Sequence, residues 1–225
     1  MTHEIKILDH GYIKFIEHWG ADYRFIEAAR MSLDGGFRGW EKDQRLLEFL
    51  WNNKHATPFE MGGMVIEVKA PIFVFREWHR HRTQSYNEMS ARYIPLPDEN
   101  YMPTVLRLIE GSAPTANKQA QGTGRRLTRT AAETFQTNLE FAYTKAQEIY
   151  EDALAMGVPK ELARLSLPVG RYSKMRACAN LRNWLAFLTL RMAPNAQWEI
   201  RQYANAVGEL IEELFPRTWE LFKQT

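Results

Sequence analysis

Between Trp78 and Arg80 the character of the chain changes within two residues. Val65 to Trp78 is rich in apolar and aromatic side chains, as a buried element requires. Arg80-His81-Arg82-Thr83-Gln84-Ser85-Tyr86-Asn87-Glu88-Met89-Ser90-Ala91-Arg92-Tyr93, by contrast, consists almost wholly of residues that hydrogen-bond or carry charge. Any fold of this chain must deliver a polar block from the end of a core element, which is the layout of a site. Arg80, Arg82, Arg92 and His81 stand against one carboxylate, Glu88, so the block favours an anionic guest. Arginine offers a planar fork of donors that matches phosphate or the edge of a base. Ser85, Asn87, Ser90 and nearby backbone N–H groups add neutral donors at short reach.

A chain of 225 residues buries roughly 70–75% of its unfolded surface, enough for one core without staples or metal. With 45% hydrophobic and 25% charged residues, whole-chain disorder is excluded. A net charge of +2, from 29 Lys+Arg against 27 Asp+Glu, is too small to hold nucleic acid by bulk attraction, so anion binding must be local. The single cysteine, Cys178, forms no internal disulfide, and a reducing cytoplasm is expected. Met1 to Lys6 lacks the layout of a signal peptide, and no apolar run approaches the ~18 residues of a membrane span.

Along the chain, Ile5 to His10 predicts a short strand with a turn at Gly11, and Asp22 to Ser32 and Lys42 to Asn53 predict amphipathic helices. Thr57, Pro58 and Glu60 have the spacing of an N-cap, a first-turn proline and a capping-box glutamate. Val65 to Ala70 alternates as a strand, and Pro71 opens a helix from Ile72 to about His81. On that helix Glu77, Arg80 and His81 share a face, where an ion pair of Glu77 with Arg80 or Arg76 is one reading. His79 and His81 point apart and lie among arginines, so no metal site is expected. Residues 111–126 are poor in large apolar groups and predict a mobile surface loop.

Thr128 to Met156 predicts a long helix with an apolar stripe through Phe135, Leu139, Ala142, Ala146, Ile149 and Leu154, ending at Gly157. A short helix over Lys160 to Leu165 carries Arg164, a basic strand covers Val169 to Ala179, and Asn180 caps a helix to Arg191. Gln197 to Phe215 forms the last long helix, stopped by Pro216 before a short tail. The expected class is α+β: a small, mostly antiparallel sheet packed with long amphipathic helices, as a single domain over residues 1–225. For any one of Arg164, Arg182 and Arg191, a cation at a helix end satisfied by dipole and water is a sufficient account.

The pattern Arg-His-Arg-x-x-Ser-x-Asn-Glu-x-Ser-x-Arg-Tyr over Arg80 to Tyr93 closely resembles the signature of the flavin-dependent thymidylate synthases. His55-Ala56-Thr57-Pro58-Phe59-Glu60, Arg164 with Leu167-Pro168, Asn180-x-Arg182, and Arg191 with the segment to Glu199 resemble further family segments, so the likeness runs over most of the chain. The resemblance implies FAD-dependent conversion of dUMP to dTMP, with 5,10-methylenetetrahydrofolate as carbon donor and NADPH as reductant, in a homotetramer with shared sites. It places Thr57, Arg80, His81, Arg82, Glu88, Asn180 and Arg182 at the flavin. Glu77, Arg80, Glu88, Ser90, Ala91, Arg92 and Arg164 fall at the nucleotide, and Arg191 at the uracil edge as the catalytic group. Thr57 is thereby a helix cap, a flavin contact or both.

Two departures stand out: Ala186 replaces a frequent Asn or His near the flavin, and Ala91 a frequent Gly. Cys178 lacks the setting of a nucleophile and reads as packing. A reading from another class is a non-catalytic nucleotide- or RNA-binding module in which Tyr86 and Tyr93 are stacking platforms beside the arginines.

Overall fold

A computed structural model of the chain describes residues 4–113 and 125–224. Its centre is a pair of strands whose side chains alternate in burial, β3 (Gly63–Pro71) and β5 (Tyr172–Asn180), antiparallel from Gly63↔Asn180 to Pro71↔Tyr172. Met64, Ile66, Val68 and Ala70 of the first face the same core as Met175, Ala177 and Ala179 of the second. The alternate residues Glu67, Lys69, Lys174 and Arg176 take the other side, as period two dictates.

With β1 (Glu4–Ile7), β2 (Gly11–Trp19) and β4 (Ser85–Glu88) these strands form an antiparallel sheet in the order β1-β2-β3-β5-β4. The expected first strand is therefore shorter than the sequence predicts. The turn occupies residues 8–10, with Leu8 at φ 58°, and Gly11 begins β2 instead of forming the turn. A Cβ on Gly11 would lie 2.0 Å from Tyr203 Oη and 2.7 Å from the Ile7 carbonyl, so only glycine lets that hydroxyl approach.

The apolar side of the sheet is covered by α7 (Leu181–Arg191) and α8 (Trp198–Leu214). Trp184 and Tyr203 tie them down, donating to the carbonyls of Met64 at 3.2 Å and Lys69 at 2.9 Å. Pro216 opens α9 (Pro216–Lys223) where the sequence predicts a stop and a tail. The buried Asp22 of α1 (Asp22–Arg30) caps that helix, accepting from Arg217 N at 2.9 Å, Thr218 N at 3.2 Å and Thr218 Oγ1 at 2.6 Å. The other expected helix of the N-terminal half is α2 (Trp40–Asn52).

Two elements link core and site, α3 (Ile72–Trp78) after β3 and α4 (Val105–Gly111) beyond β4. The 27-residue α5 (Arg129–Ala155) follows, with the Thr128 side chain accepting from Ala131 N and Gly157 at φ 83° just past its end, as the sequence predicts. Its apolar stripe is divided: Leu139, Ala146 and Leu154 are partly buried, whereas Phe135, Ala142 and Ile149, with the neighbouring Phe141, are exposed. The four-residue α6 (Lys160–Ala163) then winds into a 3₁₀ turn over Arg164–Ser166. Most of the loop expected at 111–126 lies outside the described residues. Among the described residues no helix is long and apolar enough to cross a membrane.

Candidate active site

Helix α3 hands the chain from the core to the polar block, and it stops at Trp78 because that side chain is locked. Trp78 is fully buried, stacks on Phe187 at 4.6 Å and donates from Nε1 to Gln84 Oε1 at 3.1 Å. Arg80 and His81 therefore lie in the turn beyond the helix, and the shared helical face expected for Glu77, Arg80 and His81 does not form. Tyr86 fixes that turn, its hydroxyl donating to the His81 carbonyl at 2.7 Å and reaching the Trp78 carbonyl at 3.3 Å.

Glu77 pairs with Arg191, at the far end of α7, and not with Arg76 or Arg80. Arg191 Nη1 donates to Glu77 Oε2 at 2.5 Å, Nη2 to the Glu77 carbonyl at 2.9 Å, and Nε to His81 Nε2 at 2.8 Å. Accepting at Nε2 requires an uncharged imidazole. Burial, and then the adjacent Arg191 cation, hold His81 down at about 4 against the opposing pull of Glu77. The edge of the ring packs on Phe187 at 4.9 Å.

A second group lines a cleft of about 400 Å³ between α3, the end of β4 and the turn after α6. Glu88, Ser90 and Arg164 meet there, joined by Arg76 and His79. Beside it Arg92 Nε makes a 3.1 Å ion pair with Glu161, and Arg92 N lies 3.3 Å from Ser90 Oγ. Ala91 is buried and does not adopt a positive φ, so alanine brings no strain where glycine is frequent.

The third group is Thr57, Glu60, Asn180 and Arg182. Asn180 caps α7 through Asn183 N at 2.9 Å, as expected. The capping box at Thr57 does not form. Thr57–Glu60 is a 3₁₀ turn with Ala56 as its N-cap and no side-chain cap, and Glu60 is ion-paired with Arg182. Thr57 is exposed, and the guanidinium groups of Arg80 and Arg82 have no partner among the described residues. Cationic forks of this kind, open to solvent and lightly engaged, suit the diphosphate of a dinucleotide. The expected residues other than Arg80 and Arg82 thus form three groups within the chain.

A family model described as thymidylate synthase complementing protein matches residues 14–217. Flavin-dependent thymidylate synthases are close in sequence along almost the whole chain. That of Thermosipho africanus is 38% identical over 219 residues, covering 97% of this chain and 93% of the relative. The chain belongs to the flavin-dependent thymidylate synthase family. Its relative from Thermus thermophilus is 39% identical over 220 residues, covering 98% of this chain and 78% of that protein. Among solved structures, the UMP/dUMP methylase PolB from Streptomyces cacaoi bound with 5-Br dUMP aligns with a TM-score of 0.86 at 29% identity. That alignment covers 98% of this chain and 97% of that one.

In this family member Cys178 lies on the polar side of β5, opposite Val65 and Ser85, and is only partly buried. Burial, with Glu17 nearby, pushes its thiol up, which disfavours the thiolate a nucleophile needs. Ala186 is exposed on α7. Among the described residues no group of three or more His, Cys, Asp or Glu is placed to hold a metal ion.

Sequence reasoning missed Gln84, the hydrogen bonds of Tyr86 to the backbone, the ion pair of Glu60 with Arg182, and the cleft positions of Arg76 and His79. Tyr86 had a signal. It alternates with Ser85 and Asn87 along β4, which puts it on the core side of the signature strand.

Proposed function

We propose that the chain converts dUMP to dTMP as an FAD-dependent thymidylate synthase, taking its carbon from 5,10-methylenetetrahydrofolate and its reducing equivalents from NADPH. The observation that carries this reading is the Arg191 guanidinium. Of its five N–H groups three are committed, to His81, Glu77 Oε2 and the Glu77 carbonyl, which leaves one on each terminal nitrogen. The two N–H donors that remain, held on a fixed plane, are available to the N3 and O2 atoms of a pyrimidine and stabilise negative charge developing there. Pairing with Glu77 keeps the guanidinium in place without neutralising those two donors.

Glu88, Ser90, Ala91, Arg92 and Arg164 hold the nucleotide around the cleft, with Glu77 and Arg80 beside the base. Thr57, Arg80, His81, Arg82, Glu88, Asn180 and Arg182 hold the flavin. Bound FAD supplies the hydride chemistry that no side chain offers. The protein binds, orients and excludes water, and Cys178 takes no part. We further propose a homotetramer with shared sites, acting in the cytoplasm. The exposed apolar side chains of α5, Phe135, Phe141 and Ile149, favour such an assembly.

Purified protein tests the reading. Expected are the absorption band of oxidised flavin, dUMP-dependent oxidation of NADPH, and dTMP as product. Colourless protein that takes up no added FAD would refute it.

A further inference from the structure

We propose that His81 is a positioning residue for Arg191: by accepting the Nε hydrogen bond it sets the plane of the guanidinium and so the direction of its two uncommitted donors. This deepens the proposed function, on which it rests, and goes beyond the flavin contact that the family signature implies for His81.

The argument starts from how a guanidinium is held. Glu77 accepts from both terminal nitrogens, through Oε2 at 2.5 Å and its own carbonyl at 2.9 Å. Both acceptors belong to one residue and so grip one end of the fork. The 2.8 Å contact from Nε to His81 Nε2 comes from a different residue and fixes the third nitrogen, so the plane has no remaining freedom to turn. Only an imidazole with a lone pair on Nε2 can do this, which puts its proton on Nδ1.

The surroundings enforce that state. Burial and the cation of Arg191 disfavour imidazolium, whereas Glu77 favours it and is outweighed. From α7, Phe187 presents an aromatic contact at 4.9 Å and no charge. Tyr86 acts on the backbone of His81 and not on its ring, anchoring the carbonyl at 2.7 Å so that the imidazole is presented at a fixed angle. The remaining Nδ1–H is a donor that can serve the flavin. One ring thereby ties the pyrimidine-binding group to the cofactor side.

His81→Phe and His81→Gln separate this role from the alternatives. Phenylalanine keeps the ring and removes the acceptor, whereas the glutamine amide oxygen restores one. The expected result for His81→Phe, assayed at saturating FAD, is a fall in kcat of about a hundredfold, with the Kd of dUMP changed less than about threefold. His81→Gln recovers most of the turnover. Unchanged kcat in His81→Phe, or no recovery in His81→Gln at saturating FAD, would each overturn the proposal.

NMR of labelled histidine in the wild-type protein gives a second measurement, independent of turnover. Expected are a neutral ring protonated at Nδ1 and an upward shift of its titration in Arg191→Gln. An Nε2–H tautomer would overturn the proposal. Wild-type protein that makes no dTMP would defeat the proposed function instead, while the tautomer would still decide whether His81 holds Arg191.

Discussion

Arg92 and Glu161 are joined by a 3.1 Å ion pair beside the cleft that Ser90 and Arg164 line. Both side chains are more than half exposed, at 57% and 52%, so the pair is worth less than about 1 kcal/mol and yields readily to a stronger anion. Arg92→Ala is expected to weaken dUMP by roughly 1.5–3 kcal/mol, about tenfold to a hundredfold, in a calorimetric titration. Glu161→Gln should tighten it slightly by removing the competitor. Unchanged dUMP affinity in Arg92→Ala would remove Arg92 from the phosphate site.

On the proposed reading, Arg191 contributes direction more than affinity. Arg191→Ala is expected to abolish turnover while dUMP still binds, and Arg191→Lys to do no better, since a compact ammonium cannot span His81 and both Glu77 acceptors. Equilibrium binding alongside single-turnover assays checks this. Retention of turnover in Arg191→Ala would contradict the assignment.

The depressed His81 has a consequence for stability. The unfolded imidazole takes a proton near pH 6.5, the folded one only at about 4. Between those values the unfolded state holds more protons, so stability is whole above about pH 6.5 and falls as the pH drops towards 4. Urea midpoints across this range should show the slope in wild type and a shallower one in His81→Gln.

Asp22 joins α1 to α9, and its removal leaves three donors of Arg217 and Thr218 unmet in a buried setting. Asp22→Ala should lower stability by about 1–3 kcal/mol, with Asp22→Asn less severe because one acceptor survives. Thermal melts of the three proteins decide it. An Asp22→Ala melting temperature equal to wild type would show that the cap contributes nothing.

The exposed part of the apolar stripe of α5 is the expected seat of assembly. Phe141 is 73% exposed, and Phe141→Glu should shift the protein to a smaller species in size-exclusion chromatography with light scattering. Bound flavin should fall with it. A wild-type protein already monomeric at micromolar concentration would count against both assembly and shared sites.

How much of this was legible in the sequence depends on the reach of each interaction. The Asn180 cap, the ends of α5 and the alternation of β3 were all read correctly, because each is decided within a few residues. Errors arose where a distant partner decides. Gly11 looks like a turn until Tyr203 explains why a strand must begin there, and the register shift between Phe15 and Glu17 interrupts the period that would have revealed β2.

Glu60 has the spacing of a capping box, but its partner is Arg182, 122 residues away. Pro216 reads equally as the end of one helix or the start of another, and Asp22 settles the choice from the opposite end of the chain. For the candidate site residues, the pairing was not legible. Trp78, locked by Phe187 and Gln84, ends α3 one turn early and gives Glu77 to Arg191.

The strand order also sets a timetable. Among the described residues β4 has β5 as its only neighbour in the sheet, with Ser85 paired to Cys178 and Glu88 to Met175. A nascent chain that has emerged through Tyr93 already carries the whole signature but has nothing to seat it on, and translation must continue through Asn180 before that edge can close. Such distant pairing is slow to form. The arginine-rich segment thus leaves the ribosome well before the strand that seats it, and meanwhile its own charge guards the waiting strand against aggregation.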